Sequence, residues 1–375
     1  MCTCTGTVQL HLRMSDVEAP PATLEILWLM LPEQRPYREL HWLSLMPGTR
    51  VTAAGDTRPE ESVGFVPRRY RRLTRRFVEA GALAWLADLD SVETPQWVAS
   101  LELCSLVTGQ AAGIRRRRKC RQAVLLWGND PDNPLYKLPP YRQALNRTRD
   151  ADLFLCFVES ARQHCIALGL PAERCPVVLP GIDVDLFHPP PHPVEEPVAI
   201  FVSPLAHNKG IDRTLAAFAQ VRRRIPEARL RVAGRGPLEP LVREHERESN
   251  GAVEYLGALS RQRVADALRT SAVFVTAPRP TRVWNEQFGL AYVEAMACGL
   301  PVVTTICGSN NEAVRPPNLR VDDDVDALAG ALHTFLVDPD RRGEVGRENR
   351  RVATTHHDQR TQARLMRTAF DAAPG

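Results

Sequence analysis

Long apolar runs are the first thing this sequence lacks. The longest early candidate, Leu24 to Leu31, falls far short of the roughly 20 residues a helix needs to cross a bilayer, so no membrane span is expected. The opening MCTCTGTVQLHLR has no basic start followed by an apolar stretch and a small-residue cleavage site. No secretion signal is read from it, and a cytoplasmic protein is expected. Paired metal spacings are missing among the nine cysteines, and Cys2-x-Cys4 alone offers too few zinc ligands. Buried or free thiols in a reducing compartment are therefore expected, without a metal or disulfide framework. Nor are aromatics interleaved with the densest cations: RRYRRLTRR (68–76) and RRRRK (115–119) hold Tyr70 alone, so nucleic acid is not an expected partner. No repeat of solenoid period is present.

What is there suits two domains. A chain of 375 residues is too long for one ordinary core, and 44% hydrophobic with 25% charged residues excludes a mainly disordered protein. Two domains imply a cleft, and clefts hold ligands. The net charge of +4 is mild but concentrated, since both cation runs lie in the first half. They read either as solvated helix faces or as a peripheral contact with a membrane surface or anionic acceptor.

The stretch HPPPHPVEEP (188–197) places five prolines in ten residues and can continue neither a helix nor a sheet interior. The expected division is 1–190 for the first domain, 191–350 for the second, and 351–375 for a C-terminal helical segment with the option of returning to the first. Beyond the proline stretch, VAIFVSP, LRVAG, VEYLG, AVFVTAP and PVVTT read as strands, separated by helical patterns at 210–225, 238–248, 261–268 and 290–298. Strand and helix alternating at that interval mean a parallel sheet covered on both faces. In the first half the expected strands are 24–31, 82–89, 123–127, 152–157 and 176–180. The fold class is α/β, with a crevice at the carboxyl ends of two sets of strands.

The chemistry concentrates in WNEQFGLAYVEAMACGLPVV (284–303). Leu290 to Cys298 can form a helix that Gly299 stops and Pro301 follows with a strand. The Phe288-Gly289-Leu290 step then lies at a helix N-terminus, whose free N–H groups make an anion site suited to a diphosphate. Glu286 precedes that site and Glu294 stands about one turn beyond it. A carboxylate beside a phosphate is electrostatically unwelcome, so each glutamate suits paired sugar hydroxyls instead. A nucleotide sugar, with its diphosphate between ribose and donor sugar, matches the order Glu294, helix end, Glu286; two glutamates on a solvated helix would give the same spacing.

E-x-F-G-L-x-x-x-E-A-x-A-x-G-x-P-V, from Glu286 to Val302, resembles the signature of the family 4 retaining glycosyltransferases. Lys209-Gly210, AGRGP (233–237), CGSNNEAV (307–314) and VVLPGIDVDLFHP (177–189) agree with it. The resemblance implies two Rossmann-like doubly wound parallel-sheet domains facing each other across a cleft, the GT-B architecture. It implies transfer of a sugar from a nucleotide diphosphate sugar, a co-substrate with no further cofactor, to an acceptor whose nature (lipid-linked or saccharide) stays open. In its terms Glu294 binds the ribose, Glu286 with Phe288, Gly289 and Leu290 holds the donor sugar and distal phosphate, and Lys209 neutralises the departing diphosphate. Anomeric configuration would be retained by front-side departure and attack within one ion pair.

The pattern breaks in three places. Pro204 stands where such proteins usually carry a second diphosphate-binding arginine, and Arg235 is the nearest replacement by motif. LEILWLML is followed by PEQRPYRELHW, with no glycine before Gly48. VLLWGNDPDN puts Asn129 and Asp130 where many members show a histidine, or else builds only a turn there. Five Asp-x-Asp pairs, at 88/90, 130/132, 183/185, 322/324 and 338/340, leave none persuasive as a metal site, and metal independence is expected. The rival expectation is a non-catalytic nucleotide-sugar binder of the same fold; a sugar-nucleotide epimerase is the weaker third.

Overall fold

Short runs of buried aliphatic and aromatic residues build two sheets. The structure, a computed structural model, describes residues 23–31, 38–72, 84–89, 92, 95–103, 105–128, 137–282 and 284–374. In the first half, β1 (Leu24–Leu29), β2 (Thr49–Gly55) and β3 (Gly64–Pro67) form one wing of a sheet. β4 (Tyr70–Arg72) and β5 (Ala84–Leu86) make a separate antiparallel pair. β6 (Trp97–Leu101), β7 (Arg121–Leu126) and β8 (Leu153–Cys156) complete the sheet, in the order β3-β2-β1-β6-β7-β8. Every pairing in it is parallel.

The second half repeats the plan. β9 (Val198–Val202), β10 (Arg229–Ala233), β11 (Val253–Gly257), β12 (Val273–Thr276), β13 (Val302–Thr305) and β14 (Leu319–Val321) run β11-β10-β9-β12-β13-β14, all parallel. Both orders reverse direction beside their first strand, between β1 and β6 and between β9 and β12. That switch point opens a crevice at the carboxyl ends of the strands.

Helices cover the sheets: α1 (Arg38–Leu45), α2 (Leu106–Arg118), α3 (Pro139–Thr148) and α4 (Glu159–Ala167) in the first half, then α5 (Ile211–Arg224), α6 (Glu239–Glu248), α7 (Arg261–Arg269), α8 (Leu290–Ala297) and α9 (Val325–Leu336). α10 (Pro339–His356) and α11 (Gln359–Ala372) end the chain. In α5, Ile211, Leu215, Phe218 and Val221 are buried at helical spacing. Asp324, Asp338 and Asp358 cap α9, α10 and α11 by accepting the N–H three residues on. The chain crosses back between the halves at Gly181, where a Cβ would lie 2.6 Å from Gln359 Cα. Ile182 N–H donates to His357 O (2.7 Å) and Gln359 N–H to Ile182 O (2.9 Å). α11 then sets Ala363, Met366 and Phe370 into the first core, Phe370 edge-on to Trp97 at 4.9 Å.

A second apolar cluster belongs to both halves: Leu126, Phe154 and Val158 join Phe274, Phe288, Tyr292 and Met296. Each such side chain contributes about 1.5–3 kcal/mol on burial, so the inner face of α8 is anchored as firmly as a domain core.

Two expected elements differ. The 82–89 strand is reduced to β5, which alternates buried and half-buried residues and pairs outside the main sheet. That alternation marks a strand with one wet face. The 176–180 strand makes a single bridge, Val177 to Cys156, because Pro176 and Pro180 bracket it and donate nothing to a ladder. β2, β3, β4, β6 and β14 are not among the expected strands. Of the basic runs, 70–72 is the strand β4, 115–118 is the last turn of α2, and 73–76 lies outside the described residues.

Candidate active site

The site is set by glycines that permit close backbone approach. After β9 the chain turns through His207–Lys209 into Gly210, at φ +71°, where a Cβ would fall 1.7 Å from Ala277 O. No other residue fits, and the turn is pinned to the end of β12. Lys209 is thereby fixed in the crevice. Its Nζ donates to Glu286 Oε2 at 2.8 Å and lies 4.2 Å from the Trp284 ring centroid. Both partners are largely covered, with side chains 20% and 12% exposed.

Glu286 is strapped from behind by the 307–309 turn. Ser309 N–H donates to Glu286 O at 2.8 Å, and a Cβ on Gly308 would strike that same oxygen at 2.2 Å. Two residues after Phe288, which is fully buried, α8 begins. Gly289 precedes it at φ +82°, where a Cβ would meet the Tyr292 ring at 2.2 Å. The first N–H groups of a helix have no intrahelical acceptor, so this end presents donors and the positive end of the helix dipole. Gly299 at φ +78° closes α8 with a paired turn, Gly299 N–H to Met296 O and Leu300 N–H to Ala295 O.

Under this loop Tyr292 is buried, its hydroxyl 3.1 Å from Thr276 Oγ1 and from Thr304 Oγ1. Burial first, then the Glu286 charge, pushes the phenol well above its ordinary range, so it remains a neutral hydrogen-bonding group. Glu294, one turn further along α8, is 4% exposed. Its Oε1 accepts from Arg38 Nη1 at 3.1 Å, a pair that crosses from the second half to the start of α1 in the first.

Lys209, Glu286, Phe288, Gly289, Leu290 and Glu294 line one cavity of about 590 Å³, closed on the other side by Arg38 and Trp127. Pro204 lines it too; Arg235 is exposed and does not, although its neighbour Gly234 does. Arg38, Trp284 and Trp127 had no sequence signal beyond type: each stands in a loop or at an element's first turn, where no periodicity marks it. Asn129 and Asp130 lie outside the described residues.

Trp127 leads to two further carboxylates. Its Nε1 donates to Glu39 Oε1 at 2.6 Å and its backbone N–H to Glu102 Oε1 at 3.1 Å. Burial raises the pKa of both; for Glu102 it outweighs the N–H groups of Trp127 and Gly128 and leaves the carboxyl at about 7.

Of the Asp-x-Asp pairs, Asp324 and Asp338 are helix caps, Asp183 accepts from the N–H groups of Asp185 and Leu186, and Asp185 pairs with Arg360 at 2.7 Å. Among the described residues no three His, Cys, Asp or Glu side chains converge as metal ligands. The 115–118 arginines are partly committed inward: Arg115 holds Asp152 through two bonds of 2.8 and 2.9 Å, and Arg118 donates to Leu89 O at 3.1 Å. Among the described residues no helix is long and apolar enough to cross a membrane.

Two parallel six-stranded sheets with a cleft between their switch points define the two-domain GT-B architecture. The Anabaena protein Alr3699/HepE, solved in complex with UDP, superposes with a TM-score of 0.75 over 93% of this chain and 100% of that one, at 16% identity. Residues 185–352 match the family described as Glycosyl transferases group 1. Over 250 residues the chain is 31% identical to a GDP-mannose-dependent alpha-(1-6)-phosphatidylinositol monomannoside mannosyltransferase of Mycolicibacterium smegmatis, covering 61% of this chain and 65% of that one. A Corynebacterium glutamicum enzyme acting on the monoacylated form of that acceptor is 34% identical over 159 residues, 41% of this chain and 42% of its own. The chain thus spans less than two thirds of either relative.

Proposed function

We propose that this protein transfers a sugar from a nucleotide diphosphate sugar to a hydroxyl acceptor, with retained anomeric configuration and without a metal. The observation that carries this reading is the convergence of Lys209, Glu286, Glu294 and the α8 N-terminus on one cavity at the switch point. In this reading Glu294 accepts from the ribose and Glu286 from the donor sugar, while the diphosphate lies on the helix end between them. As the glycosidic bond breaks, charge grows on the distal phosphate. Lys209, already desolvated between Glu286 and Trp284, needs no reorganisation to meet it. The residues 191–350 form the donor side and 1–190 the acceptor side.

GDP-mannose is the donor to test first and a lipid-linked, polyhydroxylated acceptor the first partner, because the mycobacterial and corynebacterial relatives use them. A cytoplasmic protein that touches a membrane surface through 68–76 and 115–119 would suit such an acceptor; Arg116, Arg117 and Lys119 are exposed. Pelleting with anionic vesicles checks that contact, and binding indifferent to anionic lipid refutes it.

Turnover tests the central claim. Donor hydrolysis or transfer should fall about 10²–10³-fold in Glu286→Ala, the scale for removing one group that acts on developing charge and its orientation. Pro204, which lines the cavity and carries neither charge nor N–H donor, favours one second reading, a nucleotide-sugar binder that does not turn over. Tight donor binding with no turnover across a broad acceptor panel would establish that reading.

A further inference from the structure

We infer that Arg38 is a ligand of the donor diphosphate, supplied by the first domain and stationed on Glu294; this rests on the proposed function above. The cavity is lined by three cations, Arg38, Lys209 and Arg261, and two carboxylates, Glu286 and Glu294. A donor diphosphate adds two negative charges between those carboxylates. Lys209 is already engaged by Glu286 at 2.8 Å, and Arg261 lies with its guanidinium carbon 5.9 Å from the Phe187 ring centroid. Pro204 offers nothing. Without Arg38, one ammonium already paired, one exposed arginine at the rim and a helix end would face the diphosphate and both glutamates together, a balance that low dielectric makes costly.

Arg38 corrects that balance from the opposite lip. It is the first residue of α1, and its Nη1 reaches Glu294 Oε1 at 3.1 Å. Glu294 is five residues past Gly289, which puts the carboxylate's α-carbon roughly 7 Å along the axis from the helix end at 1.5 Å per residue. A guanidinium held there stands within a side chain's reach of an anion on the helix N-terminus. Its five N–H donors in a planar fork can bridge a carboxylate and a phosphate at once, which an ammonium does less well. The Arg38 side chain is 40% exposed, against 6% for Glu294, so it can turn towards an arriving phosphate without unpacking the core. Because the pair joins the two halves, the donor would be gripped from both sheets.

Nucleoside phosphates test this by titration calorimetry on the full chain. Wild type is titrated with GDP, GMP, UDP and UMP, and the better-bound base is carried into Arg38→Ala and Arg38→Lys, with thermal melts to confirm folding. The expected result is diphosphate affinity down about tenfold or more in Arg38→Ala, the scale of one charge-assisted bond. The monophosphate should change less than about threefold, and Arg38→Lys should recover part of the diphosphate loss. Equal weakening of mono- and diphosphate, no change, or tighter diphosphate binding would each overturn the inference while leaving the donor site standing. Wild type that binds none of the four would instead remove the proposed function, and this inference with it.

Discussion

His357 joins α10 to α11 beside the candidate site and provides a stability probe whose sign is fixed by its surroundings. The ring is 4% exposed, its Nδ1 donates to Pro180 O at 3.0 Å, and its centroid is 5.6 Å from that of Phe288. Burial above all pushes its pKa down from 6.5 to about 4; the Pro180 carbonyl opposes this, and the charges of His356 and Arg315 add to it. Between those values the unfolded chain binds a proton and the folded chain does not. The stability this neutral ring contributes is therefore present above about pH 6.5 and is lost as pH falls towards 4. At ~1.4 kcal/mol per tenfold, the loss is about 3 kcal/mol. His357→Gln keeps a donor for Pro180 and cannot titrate. Near pH 7.5 the variant should be less stable than wild type by about 1 kcal/mol, from poorer packing on Phe288. Near pH 4.5 it should be the more stable of the two by about 1–2 kcal/mol. Urea unfolding of both proteins across this range measures the difference directly. A difference that does not move with pH would refute the argument, because it would mean that the buried ring is protonated in the fold or open to water.

Glu102 should act in the opposite sense. Its pKa is raised to about 7 in the fold, so its contribution is full below about pH 4.5 and is lost as pH rises through 7. Partial exposure screens the charge, and Glu102→Gln is expected to stabilise the protein by about 1–3 kcal/mol at pH 8 in urea titrations, with no gain at pH 4. Gly210→Ala combines a left-handed backbone with a collision against Ala277 O; it should cost more than about 2 kcal/mol in the same assay and weaken donor binding through Lys209. Glu312 accepts the N–H groups of Glu159 (2.6 Å) and Ser160 (2.9 Å), capping α4 of the first half from the second. Glu312→Ala should cost about 0.5–2 kcal/mol and speed amide exchange at 159–160, whereas unchanged exchange there would show the cap to be idle. Pro204→Arg, at an exposed position on the cavity lining, should tighten diphosphate binding about tenfold and offset Arg38→Ala; calorimetry decides, and no effect would place 204 out of reach of the phosphate.

The second sheet was legible because its strands are short, its central three are almost wholly buried, and helical patterns separate them. β9, β12 and β13 show almost unbroken burial, and α5 keeps one apolar face, so composition and period agree. β14 escaped because all three of its residues are only half-buried. The first sheet hides its pattern. β2 reads TRVTAAG, with alanine and glycine where β-branched residues usually signal a strand, and its burial is supplied by neighbours distant in sequence. Conversely, 82–89 carries an apolar composition but only one covered face, so it left the main sheet for a hairpin with β4.

The same contrast explains what could be read of the site. Gly289, Glu286 and Glu294 are within nine residues of one another, so a helix end and its two carboxylates follow from local geometry alone. Lys209 lies 77 residues from Glu286 and carried a signal only through the family resemblance, with which Lys-Gly before a helix agrees; the structure adds that only glycine can close that turn. Arg38 carried none. It is 256 residues from Glu294, in a stretch whose lack of glycine described only what was missing. Local motifs recover the half of a cleft built by one strand–loop–helix unit. The facing half is set by how two domains meet, and here that meeting brings a cation to a carboxylate that the motif alone leaves unpaired. If the proposed donor site holds, a proline at 204 is a change in where positive charge comes from, and the charge that would hold a diphosphate belongs to both lips of the cleft together.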